Sequence, residues 1–420
     1  MTELMIIADD FTGALDAGVH FAERGIGTRV LVSPDHDRSW EEGIRSGETT
    51  VLVIDAETRH VSPDQAYRKV FAVAKDAREA GIPYIYKKTD SALRGNIGSE
   101  LEAAYRAAGE PFLSFVPALP QMNRITRDGR QYIDGVPVSK SVFGRDPFEP
   151  VTKDSVKDII RLQSEIPVIE THGEARPGPG QAGIVVYDAT TEADIRRIGA
   201  DLTVTGQNRL MAGCAGFAAI LPDLLGLKRQ EPETAALERR LFVLCGSVNP
   251  ITRRQLDWGE RVGYPRIYMA AEEKLNPEFW RSEQGAGLTR RLTQESSEND
   301  CVILDTNDRE SERNTLEYAR ELGMDTGQVR SRIPETLGII LKNMLDCGLH
   351  AVILVTGGDT LLGFMKEIRQ WELQPIRQVR PGCVLTKLYY CGREHHIITK
   401  SGGFGEENLL SELTEELKGK

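Results

Sequence analysis

Short apolar segments alternate with longer segments of helical periodicity along this chain, and this alternation restricts the fold more than any other feature of the sequence. In the first third, the predicted strands cover residues 5–8, 28–32, 51–55, 84–88 and 112–116. The helices predicted between them begin after Asp10, run from Ser62 to Ala80 and cover residues 97–108. Strands that are connected through helices pair in parallel, with helices on both faces of the sheet. The sequence therefore predicts an α/β fold.

Residues 117–150 interrupt this pattern with a cluster of prolines and glycines. A loop of this length inside a compact domain usually carries function. The alternation returns with elements over residues 154–164, 168–171 and 184–187, and with helices after Thr191 and after Leu210.

The chain has 420 residues, a length that suits two domains better than one. A charged, proline-containing stretch at residues 226–240 is the predicted boundary, which places one domain at 1–226 and the other at 240–420. In the second domain, the predicted strands cover residues 241–245, 267–269, 301–305, 351–355, 384–390 and 396–399, and the predicted helices cover 333–346, 361–371 and 407–417. Two α/β domains with mostly parallel sheets imply a cleft between them, where we expect the active site.

Charge and composition argue against several classes of function. The net charge of −11 disfavours a nucleic-acid-binding protein, which usually carries a basic face. No apolar run reaches the roughly 18 residues that span a bilayer, and the first ten residues lack the basic start of a signal peptide. We therefore expect a cytoplasmic protein without a membrane partner. The six cysteines include no C-x-x-C pair, which disfavours a zinc or iron–sulfur site, and the sequence singles out no metal ligands.

Two acidic residues, Asp9 and Asp10, follow the first predicted strand and precede a helix. Ligands of open α/β sheets bind beyond the carboxyl ends of the strands. Adjacent carboxylates there can accept bonds from hydroxyl groups, bind Mg²⁺ or act as a base. The alternative interpretation is that one of the two caps the helix. We favour a functional role for the pair.

A denser polar cluster follows the predicted strand at residues 84–88. Its members are Lys87, Lys88, Thr89, Asp90, Ser91 and Arg94. Such a set offers cations to a carboxylate and acceptors to a polyol, whereas a solvated loop is the alternative interpretation. Arg59 lies just past the strand at 51–55, a position that suits a carboxylate clamp as well as an ordinary surface arginine.

Three glycine-rich loops follow predicted strands in the second half of the chain. They contain Ser247 in the first, Gly357, Gly358, Asp359 and Thr360 in the second, and Lys400, Ser401, Gly402, Gly403, Phe404 and Gly405 in the third. Glycines let backbone N–H groups converge on an anion at the start of a helix. Although glycine is also the ordinary turn residue, three such loops in one domain predict a phosphate site.

Two other nucleotide-binding motifs fail. Gly358 and Gly363 have the spacing of a Walker motif, but Phe364 follows where lysine is required. The segment 178–183 matches G-x-G-x-x-G literally, yet it precedes a predicted strand and contains Pro179. We interpret it as a loop.

At these residues the chain resembles a known family, the four-carbon acid sugar kinases. The resemblance rests on residues 7–14 (IADDFTGA), 88–96 (KTDSALRGN), 357–360 (GGDT) and 400–405 (KSGGFG), and in the middle loop on Pro117-Ala118, 129–132 (GRQY) and Asp146-Pro147. These motifs occur in the same order over essentially the whole chain. One departure is Ala92, where the family pattern has threonine.

The resemblance implies an ATP-dependent kinase that phosphorylates the terminal hydroxyl of D-threonate, D-erythronate or 3-oxo-tetronate, with Mg²⁺ accompanying the nucleotide. It implies that the N-terminal domain holds the sugar acid, through Asp9, Arg59 and Lys87 to Asp90, with Asp10 and Arg94 beside them. The C-terminal domain would hold ATP through Ser247, Gly357 to Thr360 and Gly402 to Gly405. The candidate bases are Asp359 and Asp90, with Asp9 third.

D-threonate is the expected substrate because the whole chain looks most like the D-threonate kinases. Phosphorylation of D-erythronate or 3-oxo-tetronate is the first alternative. More remote alternatives are an NAD-dependent sugar-acid dehydrogenase, which lacks a correctly placed G-x-G-x-x-G, and a non-catalytic sugar-acid sensor, which would not need a second glycine-rich domain. A homodimer is left open as the oligomeric state.

Overall fold

The computed structural model describes residues 2–32, 39–46, 49–146, 149–172, 177–178, 180–309 and 313–419. Pro147 of the middle-loop motif and Pro179 of the glycine segment lie outside these residues. The chain divides into two compact units, Met1–Glu233 and Thr234–Lys420. Among the helices described, none is both long and apolar enough to cross a membrane.

The first unit alternates strands and helices over most of its length. Its strands are β1 (Leu4–Ala8), β2 (Thr28–Val32), β3 (Val51–Asp55), β4 (Tyr84–Lys88), β5 (Phe112–Val116), β6 (Arg124–Arg127), β7 (Arg130–Ile133), β8 (Val136–Pro137), β9 (Val168–Thr171), β10 (Gly183–Tyr187) and β11 (Leu210–Gly213). Its helices are α1 (Phe11–Ala22), α2 (Ser39–Ser46), α3 (Pro63–Glu79), α4 (Ile97–Ala108), α5 (Val156–Arg161), α6 (Glu192–Thr205), α7 (Ala215–Ala218) and α8 (Leu221–Leu224).

The main sheet of this unit runs in the order β2-β3-β1-β4-β11-β5-β10-β9, and its neighbouring strands pair in parallel. The α/β class with a mostly parallel sheet is therefore confirmed. Every residue of β1 and β3 is buried, as expected of strands covered by helices on both faces. Helices α3 and α4 pack on one face, and α1 packs on the other, where Gly18 lies against Val30 and Val53.

Two local features differ from the sequence prediction in this unit. Residues 117–150 are not only loop, because β6, β7 and β8 form a small antiparallel sheet there. Residues 210–213 form strand β11, which was not predicted and inserts between β4 and β5, and the helix predicted after Leu210 begins only at Ala215, as α7. The segment Leu-Met-Ala-Gly has no β-branched residue, so its strand character comes from the sheet around it rather than from local preference.

The second unit repeats the alternation and adds an antiparallel edge. Its strands are β12 (Leu241–Cys245), β13 (Arg266–Tyr268), β14 (Cys301–Asp305), β15 (Val352–Thr356), β16 (Glu372–Arg380), β17 (Cys383–Tyr390) and β18 (Arg393–Lys400). Its helices are α9 (Pro250–Arg261), α10 (Ala271–Leu275), α11 (Pro277–Arg281), α12 (Glu283–Glu298), α13 (Thr315–Glu321), α14 (Thr326–Asp346), α15 (Gly358–Ile368) and α16 (Leu409–Leu417).

The sheet of the second unit runs in the order β13-β14-β12-β15-β18-β17-β16. Neighbouring strands among β13, β14, β12, β15 and β18 pair in parallel, whereas β17 pairs antiparallel with both β18 and β16. Helix α14 begins at Thr326, seven residues before the predicted start at Ile333, because Asp325 caps it and Pro334 is tolerated inside it. The close packing of Gly338 against Gly363 then brings α14 onto α15.

Candidate active site

Three charged side chains meet at the carboxyl edge of the first sheet, around the end of β1. Arg59 Nη2 lies 2.7 Å and Nε lies 2.8 Å from Asp9 Oδ2, and Arg59 Nη1 lies 2.9 Å from Asp10 Oδ2. Asp10 also caps α1, since its Oδ1 accepts the Gly13 N–H at 3.0 Å. The capping interpretation therefore applies to Asp10, while Asp9 binds Arg59 through Oδ2 alone. Helices α1 and α3 leave this point on opposite faces of the sheet, which is where open α/β sheets form their ligand crevice.

Asp90 joins this cluster from the end of β4. Arg94 binds it in a two-pronged pair, with Nε and Nη2 each 3.0 Å from a carboxylate oxygen, and Arg59 Nη2 lies 3.7 Å away. Burial alone would raise the pKa of Asp90, but the guanidinium groups of Arg94 and Arg59 outweigh it and hold that pKa well below its usual range. A carboxylate held in this way is a poor proton acceptor, so the geometry favours a binding or positioning role for Asp90.

The two adjacent lysines of β4 point to opposite faces of the sheet, as successive strand residues do. Lys87 faces α4, where its Nζ lies 2.8 Å from Glu100 Oε2 with both side chains inaccessible to solvent. Lys88 faces α1, where its Nζ donates to Thr89 O at 2.8 Å. Lys88 is only 5% exposed. Its Nζ packs so closely on Gly13 that a Cβ atom at this position would lie only 2.6 Å from it. The structure thus brings Lys88 to the cluster and leaves Lys87 in a sealed pair beneath it.

We predict that replacing both members of this sealed pair, as in K87M/E100L, leaves sugar-acid binding and kcat unchanged. Exchange of a buried ion pair for apolar side chains of similar volume is often close to neutral, so the free energy of unfolding should change by no more than about 2 kcal/mol. Denaturant titration and steady-state kinetics on the double variant measure both quantities. A selective rise in the KM for the sugar acid would return Lys87 to the binding site.

Buried polar atoms without partners mark the same region. In the part of the chain that the structure describes, Asp9 Oδ1 and Thr89 Oγ1 are buried and make no hydrogen bond. An orphaned buried polar atom costs about 1–3 kcal/mol, so such atoms at a strand edge are suited to a hydroxylated ligand that would satisfy them.

The 117–150 region supplies residues that the sequence did not single out. Arg124 of β6 hydrogen-bonds Ser91 Oγ, and Gln131 Nε2 donates to Ser91 O at 2.9 Å. Arg94 and Arg124 each lie 5.1 Å from the Phe143 ring centroid. The motif at residues 129–132 was a signal for this region, but its contact with the loop after β4 could not be read from one sequence.

In the second unit, the glycine loops after β12, β15 and β18 converge. A Cβ on Gly246 would collide with Thr360 Oγ1, and one on Gly402 would lie 3.1 Å from Ser247 Oγ. Gly357 N donates to Lys400 O at 3.2 Å. The predicted nucleotide-binding residues Ser247, Gly357 to Thr360 and Gly402 are therefore neighbours in space.

Helix α15 presents a suitable start for an anion. Gly357 precedes it with φ of 95°, and no side chain hydrogen-bonds to cap it. The first N–H groups of a helix lack partners within the helix and attract negative charge. Asp359 in this first turn is half exposed and pairs with Arg330, whose Nε lies 3.2 Å from Asp359 Oδ2.

Lys400 and its neighbours hold the third loop in shape. Lys400 Nζ donates to Thr252 Oγ1 and Ser401 O, each at 3.1 Å, and burial lowers the pKa of this lysine to about 8. Gln255 Nε2 donates to Phe404 O at 3.0 Å, and the Phe404 ring packs against Gly382. Gly403 and Gly405 are exposed beside it. The supporting residues Thr252 and Gln255 lie on α9 and carried no sequence signal.

Two family models match the chain. The one described as a sugar-binding N-terminal domain matches residues 4–221, which is more than half of the chain, and the one described as a nucleotide-binding C-terminal domain matches residues 242–410.

The chain is similar over nearly its whole length to characterised proteins. It is 29% identical to a D-threonate kinase of Salmonella typhimurium, over 97% of this chain and 96% of the relative. It is 28% identical to a D-erythronate kinase of Heliobacterium modesticaldum, over 97% and 95%. It is 23% identical to a 3-oxo-tetronate kinase of Cupriavidus necator, over 98% and 96%.

The fold also occurs among solved structures. A Salmonella typhimurium protein superposes with a TM-score of 0.79 at 19% identity, covering 99% of this chain and 100% of that one. A Haemophilus influenzae protein superposes with a TM-score of 0.71 at 18% identity, covering 99% of each. At these identities the likeness concerns the fold.

Proposed function

The chain belongs to the four-carbon acid sugar kinase family, and we propose that it transfers the γ-phosphoryl group of ATP to the terminal hydroxyl of a four-carbon sugar acid. The observation that carries this proposal is the pairing of two different sites along one chain. The first unit concentrates carboxylates, cations and orphaned polar atoms at one sheet edge, and the second unit concentrates glycine loops at the start of a helix. These are the two kinds of site that a sugar-acid kinase needs.

The sugar acid is assigned to the edge formed by the loops after β1, β3 and β4. Lys88 supports this because, among the described residues, no carboxylate lies within 4.0 Å of its Nζ although the side chain is buried. A buried cation with spare hydrogen-bonding capacity suits an anionic ligand. Thr89 Oγ1 and Asp9 Oδ1 offer the neighbouring hydroxyl contacts.

We assign Arg59 a different role from the clamp on the substrate carboxylate that the sequence suggested. Its guanidinium already faces Asp9, Asp10 and Asp90, so we assign it the task of holding these carboxylates in place. Lys88 is then the cation that meets the substrate carboxylate.

ATP is assigned to the loops around Gly357, Ser247 and Gly402. Backbone N–H groups at the start of α15 suit its phosphates. Mg²⁺ would enter with the nucleotide, since this ion prefers phosphate oxygens and one or two carboxylates, and the half-exposed Asp359 fits as such a ligand. The ion would neutralise charge on the phosphates during transfer. We expect the enzyme in the cytoplasm, where ATP is available.

D-threonate is the substrate that we propose, with 4-phospho-D-threonate as the product. The support is that relatives named D-threonate kinase match over nearly the whole chain at 28–29% identity. D-erythronate and 3-oxo-tetronate stay in the test set because relatives named for these substrates match at 28% and 23%.

The test is an ADP-release assay with each of the three acids in turn, with D-threonate predicted to have the highest kcat/KM. An ADP signal that does not depend on any sugar acid would oppose the proposal. Reduction of NAD by the same acids would instead favour the dehydrogenase alternative.

We predict that K88M weakens sugar-acid binding by at least about 30-fold, because loss of a buried charge-assisted contact costs about 2 kcal/mol or more. ATP binding should stay within about twofold of the wild type, since Lys88 belongs to the first unit. Calorimetric titration of the full chain with each ligand separately measures both. Equal weakening of both ligands would contradict the assignment of Lys88 to the sugar acid.

A further inference from the structure

Helix α1 carries one polar stripe that leads away from the carboxylate cluster. Thr12, Asp16 and His20 follow each other at intervals of four residues and are half-buried, whereas most of the other residues of α1 are buried. Thr12 Oγ1 donates to Asp10 Oδ2 at 3.0 Å, which fixes the beginning of the stripe at the cluster. Residues four apart on a helix lie on the same face. Asp16 therefore stands one helical turn beyond Thr12, on the same face of α1.

Asp16 differs from the other carboxylates of this region in having no fixed partner. Asp9, Asp10 and Asp90 are each bound by arginine. In the part of the chain that the structure describes, no hydrogen bond or ion pair holds the Asp16 carboxyl group. A carboxyl group that is half-buried and unpaired beside a binding site is free to exchange a proton with a ligand.

The charges that face Asp16 come from the elements packed around α1. Lys88 of β4 and Arg124 of β6 are the cations that act on Asp16, and Asp10 is the anion. Asp55 of β3 is also buried near Asp10, and burial and the Glu57 carboxyl raise its pKa well above the usual range. Helix α7 (AGFA), which packs on α1, has no charged residue.

The balance of these effects makes Asp16 a moderate base. Burial raises the pKa of Asp16 to about 7, with Lys88 acting in the opposite direction. A base whose pKa lies near the working pH combines a useful ionised fraction with enough basicity to accept a proton.

We propose that Asp16 is the general base of the transfer, taking the proton of the attacking sugar-acid hydroxyl. This rests on the proposed function. The hydroxyl oxygen forms a bond to the γ-phosphorus, its proton passes to the Asp16 carboxylate, and the bond from the γ-phosphorus to the bridging oxygen breaks with the electron pair leaving on ADP. Asp16 then releases the proton to water.

The earlier candidates fit this role less well. Asp90 forms ion pairs with Arg94 and Arg59, and Asp9 forms one with Arg59. Asp359 pairs with Arg330 and stands at the start of α15 among the glycine loops. This position suits a ligand of Mg²⁺ better than a general base. Of these four carboxylates, only Asp16 is unpaired in the described part of the chain, and Lys88 is the cation that acts on it most strongly.

The test compares D16N, D16E and a matched control, D64N, which changes an exposed Asp in the first turn of α3. D16N should lower kcat by roughly 10²–10⁴-fold, the usual effect of losing a positioned base, with the Kd of each ligand within about threefold of the wild type. D16E should recover part of the loss, and D64N should match the wild type. The wild-type kcat should rise with pH up to about 7, and this limb should vanish in D16N.

D16N is expected to fold. Because the pKa of Asp16 is raised in the folded chain, ionisation of this carboxyl group lowers the stability of the wild type as pH rises from about 4 to about 7. Asparagine cannot ionise and avoids this loss. If D16N nevertheless unfolds, the pH dependence of the wild-type kcat and the kcat of D16E test whether Asp16 is the base. An unchanged kcat in D16N, or a wild-type profile that is flat through pH 7, overturns this proposal alone. A wild type that phosphorylates no sugar acid overturns the proposed function and this proposal together.

Discussion

Replacement of Arg59 by alanine is expected to lower the free energy of unfolding of the chain by about 3–5 kcal/mol, the usual result of removing one partner from a buried ionic cluster. Arg59 is 9% exposed at its side chain and contacts Asp9, Asp10 and Asp90. Without it, Asp9 and Asp10, which are largely shielded from water, would lose their arginine partner, and only Asp90 would keep one, in Arg94. Urea denaturation of R59A at pH 7 measures the loss.

The loss should depend on pH in a defined direction. Burial opposes ionisation of Asp10 and Asp90, but Arg59 and the other cations keep the pKa of each carboxyl below its usual range. Groups with lowered pKa values stabilise the folded chain above about pH 4 and lose this effect as they are protonated in acid. The difference between wild type and R59A should therefore be largest near neutral pH and shrink below about pH 4.

R59K is the matched control. Lysine keeps the positive charge but lacks the planar guanidinium group with which Arg59 contacts three carboxylates at once. It should lie between wild type and R59A in stability. A variant R59A that is as stable as the wild type, with only the KM for the sugar acid raised, would contradict the positioning role and support a direct clamp on the substrate.

Replacement of Gly357 by valine is expected to weaken ATP binding by at least about 100-fold. Gly357 has φ of 95° immediately before α15, a conformation that a β-branched residue adopts only at a considerable cost. Valine would either strain the loop or displace the first N–H groups of α15, which we assign to the phosphates. Calorimetric titration of the full chain with Mg²⁺–ATP measures the loss, and sugar-acid binding should remain within about twofold of the wild type.

G323V is the control for backbone strain alone. Gly323 has φ of 70°, follows α13 in the same unit and has no atom within 4 Å of a would-be Cβ. It should lose stability without losing affinity for ATP. Normal ATP binding by G357V, or equal loss in both variants, would contradict the placement of the phosphates at α15.

The strand ends were the most predictable part of the molecule. β2, β3, β4 and β5 begin and end at the predicted residues, because each is a short, largely buried run, and glycine or proline precedes three of them, as Gly27, Pro83 and Pro111 do before β2, β4 and β5. Elements whose shape depends on distant partners were less predictable. β11 has little strand preference of its own. The hairpin of β6 and β7 is local, and its Asp128-Gly129 turn, with positive φ at both positions, is a signal that the sequence analysis missed.

The sequence singled out most side chains of the carboxylate and cation cluster, but it did not reveal which of them pair with one another. The sequence grouped Lys87 with Lys88, but which lysine faces Glu100 and which faces α1 follows from the register of β4 in the sheet. The sequence likewise offered Arg59 for a ligand, and only the contacts with Asp9, Asp10 and Asp90 show that its charge is already used. Asp16 looked like an ordinary helical residue, since one sequence does not reveal that the charges of Lys88 and Arg124 act on it.

The most direct test of the central claim follows the phosphoryl group itself. The full chain is incubated with D-threonate and Mg²⁺–ATP in which the three non-bridging γ-oxygens are ¹⁸O, and the products are examined by mass spectrometry and ³¹P NMR. The account predicts one ADP for each phosphothreonate, with all three labelled oxygens on a phosphate joined to the terminal carbon. Label found only in inorganic phosphate, or no transfer to any of the three sugar acids, would contradict it.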